Sequence, residues 1–118
     1  MSAESTLYSL LSTAAGVTAL VSTRIYPDLV PEEKATPYIG YERVSGEQIT
    51  TLSGDRLGEL GGFTVACWAE TRLDAEAVAN SIITALTGSE FSLLARGSEV
   101  DEETGRLAAT LDYQILTT

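Results

Sequence analysis

The stretch that decides the fold is Phe63-Thr64-Val65-Ala66-Cys67-Trp68-Ala69, separated by Glu70-Thr71 from the run of residues 72–87. In the first segment Phe63, Val65 and Cys67 alternate with Thr64, Ala66 and Trp68, the two-residue period of a strand. Small or apolar residues on both faces predict a central position in a sheet. In the second segment Ala75, Val78, Ala79, Ile82 and Leu86 fall on one stripe at helical spacing. Thr71 supplies the N-cap oxygen, with Asp74 three residues on, and Gly88 supplies a C-terminal stop.

Upstream, residues 37–44 read as a second strand, because Tyr38, Ile39, Tyr41 and Val44 are aromatic or β-branched and a proline is tolerated at a strand's first residue. Leu7, Leu10, Leu11 and Ala14 make an amphipathic helix of residues 4–15. Gly16 is predicted to interrupt it, and Val17, Leu20 and Val21 suggest a further short turn before Arg24-Ile25-Tyr26-Pro27. Pro27, Pro31 and Pro37 mark residues 28–36 as a loop. Downstream, residues 91–100 and 106–116 read as strands around the turn composition Asp101-Glu102-Glu103-Thr104-Gly105. In the last strand Leu107, Ala109, Leu111, Tyr113 and Ile115 point one way, and Ala108, Thr110, Asp112 and Gln114 the other.

Between the first two strands, residues 45–62 are rich in Gly, Ser, Thr and charge, with scattered Ile49, Leu52, Leu57 and Leu60. A connection of that length without a pattern of its own is usually functional or disordered. It is predicted to be a flexible, long polar hairpin arm. The fold class is therefore α+β, in the order α-β-β-α-β-β: a mostly antiparallel four-stranded sheet with two helices on one face. One domain accounts for residues 1–118, and a chain of that size removes roughly two-thirds of its unfolded surface from water.

Seventeen carboxylates against seven basic residues give a net charge of −10. That sign repels phosphate backbones and anionic headgroups, which argues against nucleic-acid and membrane binding. No apolar run reaches the ~18 residues of a spanning helix. No basic residue precedes Arg24, so the charged start of a secretory signal is missing and folding in a cytoplasm is expected. The single Cys67 permits no intrachain disulfide.

The absence of histidine removes Ser-His-Asp and Cys-His systems and, with one cysteine, ordinary zinc sites. Cys67 reads as a small buried packing residue. Gly54, Gly58, Gly61 and Gly62 lack the Gly-Lys-Ser/Thr and helix start of a phosphate loop, and they suit turns and bulges instead. Around Asp101 and Asp112, Arg106 stands where a calcium loop demands glycine. No catalytic, cofactor or metal residue is assigned, and no enzymatic activity is expected. Trp68 either packs beneath a helix or anchors a subunit interface, where Trp is enriched.

Taken in order, the leading helix, Arg24-Ile25-Tyr26-Pro27, Pro37-Tyr38-Ile39-Gly40-Tyr41, Val65-Ala66-Cys67-Trp68-Ala69 with its Ala-rich helix, and Leu111-Asp112-Tyr113 resemble the tail completion proteins of long-tailed phages and prophages. The resemblance extends over essentially the whole chain. It implies a structural virion protein of the neck, similar to tail terminators and head–tail joining proteins. It further implies a hexameric ring whose partners are other copies of the chain, the tail tube protein and the head–tail connector protein, with assembly in the host cytoplasm. Gln48, Ile49, Thr50, Leu52, Arg56, Leu57 and Leu60 of the arm, together with Trp68, are the candidate contacts to a neighbouring subunit or the tail tube. Two other classes compete. An acidic DNA mimic that inhibits a nucleic-acid enzyme would carry carboxylates at phosphate-like spacing on one face, whereas here they are dispersed. A small-ligand-binding subunit would need a deep apolar pocket with convergent polar groups.

Overall fold

The computed structural model describes residues 3–27, 36–50, 54, 56–102 and 105–117. The elements are α1 (Ala3–Thr13), α2 (Ala15–Val21), β1 (Ile25–Pro27), β2 (Tyr38–Thr50), β3 (Arg56–Ala69), α3 (Arg72–Leu86), β4 (Ser92–Val100) and β5 (Leu107–Thr117). They form an α+β domain with one five-stranded sheet in the order β1-β2-β3-β5-β4. As its two-faced apolar pattern predicts, β3 is the central strand.

Register sorts the side chains into two faces, because directly paired residues project to the same side. Ile39, Cys67 and Ala109 form one cross-strand row, and Tyr41, Val65 and Leu111 the next. These rows pack beneath Leu7, Leu11, Val17, Val21, Ala75, Val78, Ala79, Ile82 and Leu86 of the helices. All helices therefore cover one face. Each fully buried leucine, isoleucine or valine side chain there contributes about 1.5–3 kcal/mol. Phe63 and Tyr113 extend the core along the strands, and Phe91 meets both edge-on, with ring centroids 6.0 and 6.4 Å away.

The predicted sequence of α3 is realised closely. Thr71 is extended and its hydroxyl accepts from the Asp74 amide at 3.2 Å. The five predicted stripe residues are the buried ones. Gly88 follows at φ +84°, a conformation in which a Cβ is strained.

Three expectations are corrected. The sheet has five strands and is mixed, because Ile25–Pro27 pairs parallel to β2 with Ile25 beside Ile39. Three residues carry no readable alternation, so only the partner strand reveals β1. Among the described residues there are three helices, and the break falls at Ala14 (φ −80°, ψ 116°), whose carbonyl accepts the first bonds of α2, while Gly16 lies inside α2. The element order is consequently α-α-β-β-β-α-β-β. Finally, the strands flanking the presumed arm are longer than predicted: residues 45–50 belong to β2 and residues 56–62 to β3. Their polar, glycine-rich composition hid them, because a strand without an apolar face has no hydrophobic period to read. Their backbone pairing runs from Ser45 beside Gly62 out to Thr50 beside Arg56.

At about 3.3 Å per residue, the 14 residues of β3 span roughly 46 Å, which accounts for most of the 51 Å long axis. The radius of gyration is 15.1 Å, against about 13.5 Å for a compact chain of this length. The elongation lies in the hairpin.

Candidate functional site

Among the described residues the titratable side chains lie apart from one another and mostly at the surface. Among the described residues there is no buried polar or charged side chain and no group of three carboxylates or sulfur ligands that would hold a metal. Cys67 is fully buried, and that burial, reinforced by the Glu76 carboxylate, pushes its thiol far above the usual range, so it stays neutral. Burial also raises Tyr113, with Cys67 contributing and Arg96 opposing.

Two cavities among the described residues are partly open to solvent. One of about 160 Å³ lies between the end of α3 and the start of β4, lined by Ile83, Leu86, Phe91, Leu93 and Tyr113. The other is a notch of about 410 Å³ beside Pro27 and Tyr41. The charged groups lining it are partly engaged, with Arg43 donating to Glu4 at 3.0 Å. Neither is a deep apolar pocket with converging polar groups.

What remains are surfaces that a partner can cover. The face opposite the helices carries rows of Tyr38, Trp68 and Ala108, of Gly40, Ala66 and Thr110, and of Glu42, Thr64 and Asp112. Trp68 is half-buried on this helix-free face, so of its two readings packing beneath a helix does not hold. Its row neighbour Tyr38 is 3% exposed: Tyr26 stands edge-on to it at 6.1 Å, and the Arg106 guanidinium lies 5.9 Å from its ring centroid. Glu70 binds this corner together, accepting from Thr36 at 2.9 Å and pairing with Arg106 at 3.6 Å. Thr64 donates to Asp112 at 3.0 Å two rows further on.

The other arm residues singled out by sequence do not converge with Trp68. Gln48, Ile49 and Thr50 end β2, and Arg56 and Leu57 begin β3, with Gln48 beside Glu59 and Ile49 beside Gly58. Leu60 is half-buried further along β3, beside Glu47 and Leu116. Leu52 lies outside the described residues. The arm and Trp68 thus occupy opposite ends of the hairpin.

Sequence reasoning points to sheet edges as means of assembly but does not say which residues form them. β4 is an edge strand with every residue exposed, including Leu93 at 39%, Leu94 at 60% and Val100 at 56%. Val44, on β2 beyond the reach of β1, is 58% exposed. The signal existed in principle: Val44 is an apolar residue between Arg43 and Ser45, and Leu93-Leu94 stands in a strand without apolar alternation. Exposure, however, is decided by strand order, and sequence does not supply that.

The fold and its surfaces define a class: a small acidic α+β domain, covered by helices on one sheet face and, among the described residues, free of helices on the other and unpaired along β4 and the outer side of residues 44–50. The family model of tail completion protein gp17 matches residues 5–118, and the chain belongs to that family. Among solved structures, a chain in the virion of a native gene transfer agent particle is similar, with a TM-score of 0.79 and 20% identity over 94% of this chain and 90% of that one. At that identity the likeness is one of fold. No curated protein matches the sequence.

Proposed function

We propose that this protein is a structural component of the virion neck, a ring of six copies that terminates the tail tube and joins it to the head connector. The carrying observation is the tail completion family match over residues 5–118. The molecule's build supports it. A head-to-tail ring requires two different complementary patches per subunit, and this sheet presents different edges on its two sides, with β1 outermost on one and β4 on the other. The described surfaces offer contact area and lack a converging reactive site, so the role is one of shape and not turnover.

In this reading residues 45–62 are an arm that reaches a neighbouring subunit or the tail tube, because the β2–β3 pair continues past the last residue that β4 pairs with on β5, Gln114. The helix-free sheet face, with Glu42 and Asp112 on it, faces the lumen, where carboxylates keep DNA from adhering in transit.

Electron microscopy of particles made without this protein tests the assignment. Overlong or unattached tails beside filled heads are expected; normal joined particles would refute it. Deleting residues 48–59 is expected to leave a folded chain that no longer joins tails.

A further inference from the structure

We propose that β4 of one copy pairs antiparallel with the outer side of β2, from Val44 to its end, in the next copy. The proposal rests on the ring reading above and specifies its subunit contact. Four observations lead to it.

First, these are open edges among the described residues. β4 is the last strand of the sheet, and β1 pairs with β2 only from Ile39 to Tyr41, so among the described residues no strand lies outside residues 44–50. Second, both edges display apolar side chains at bulges. Val44 falls at the register shift between Arg43 and Ser45, and Leu94 at the shift between Leu93 and Ala95. Their exposures are nearly equal, 58% and 60%. Edge strands are ordinarily protected by lysine, proline or a bulge that turns the edge away. β4 contains neither lysine nor proline, and here the bulges carry apolar residues into solvent.

Third, the strand directions fit rotation. β2 and β5 run one way, β3 and β4 the other. Copies related by rotation about an axis along the strands therefore bring β4 against β2 in antiparallel order. Fourth, each copy carries −10 of net charge, so broad polar faces of two copies repel. Backbone hydrogen bonds and apolar contact are sources of attraction that this charge does not cancel. Both halves of the contact lie on one chain, on opposite sides of one sheet, which makes a second copy the occupant.

The test is native mass spectrometry of the purified full chain, with Val44→Lys and Leu94→Lys as edge-blocking variants. Both positions are exposed, so circular dichroism of each variant is expected to match the parent. The parent is expected to form rings and each variant alone to remain monomeric. An equimolar mixture of the two is expected to stop at dimers, since the intact β4 of the first pairs with the intact β2 of the second and both outer edges are blocked. In the parent ring, amide exchange over residues 44–50 and 92–100 slows relative to the monomer. Either variant forming rings as the parent does, or parental rings in which residues 92–100 exchange at the monomer rate, overturns the edge pairing and leaves the ring intact. A parent that stays monomeric at every concentration and leaves no ring on tail ends overturns the ring, and the pairing with it.

Discussion

Arg24 donates from Nε to the carbonyl of Pro37 at 2.9 Å, while the Ile39 amide donates to the carbonyl of Arg24 at the same distance. Two sequence motifs, Arg24-Ile25-Tyr26-Pro27 and Pro37-Tyr38-Ile39-Gly40-Tyr41, are thereby bound as parallel neighbours, and the short β1 is held by its partner. Replacing Arg24 by Met keeps much of the aliphatic stem and removes the charged donor from a half-buried carbonyl. A loss of about 1–2 kcal/mol is expected, the scale for a hydrogen bond to a charged group discounted for partial exposure. Urea unfolding followed by circular dichroism measures it; an unchanged midpoint would show that the contact contributes nothing.

Thr71 caps α3 through the Asp74 amide at 3.2 Å. Thr71→Ala is expected to cost about 1 kcal/mol, and Thr71→Ser much less, because the serine oxygen restores the acceptor. Equal loss in both variants would point to the methyl group instead of the cap.

Phe63 is 1% exposed and stands edge-on to Phe91 in the middle of the core. Phe63→Ala is expected to destabilise by about 3–5 kcal/mol, and Phe63→Leu by considerably less. For a domain of this size the alanine variant is expected to melt well over ten degrees lower, on the scale of about 4 °C or more per kcal/mol. Differential scanning calorimetry reads this directly.

Gly97 and Thr110 are register neighbours on the open face, and a Cβ at Gly97 would come within 2.9 Å of the Thr110 hydroxyl oxygen. Gly97→Ala is expected to destabilise by about 1 kcal/mol, the lower end for overpacking, and Thr110→Ala in the same chain to relieve it. A double variant whose loss is the simple sum of the singles would contradict the contact.

The buried Cys67 thiol predicts alkaline sensitivity. Its folded pKa lies above the unfolded one, so its contribution is full below about pH 9 and declines as the pH rises further, because the unfolded chain releases a proton that the folded chain keeps. The expected slope is at most about 1.4 kcal/mol per pH unit. Tyr113 adds in the same direction above its own ordinary range. Comparing urea midpoints between pH 8 and 10 in the parent and in Cys67→Ala isolates the thiol's share, and identical slopes would exclude it. Alkylation of Cys67 in the native chain is expected to proceed only through opening of the core.

The sequence by itself determined what short-range periodicity and end signals encode. Alternation around Phe63–Ala69 specified the central strand, the stripe from Ala75 to Leu86 with Thr71 and Gly88 specified α3, and the alternation from Leu107 to Ile115 specified which face of β5 is buried. Those patterns are legible because one face of each element must leave water. Only the tertiary structure decided the rest: that Ile25–Pro27 is a strand, that residues 45–50 and 56–62 pair as strands despite their polarity, and that Val44, Leu94 and Val100 stand at open edges. In those segments hydrogen bonding to a partner strand does more than hydrophobic alternation to set the conformation, even though Ile25 is itself buried. A segment whose pairing rests on backbone groups leaves no side-chain period from which it can be read.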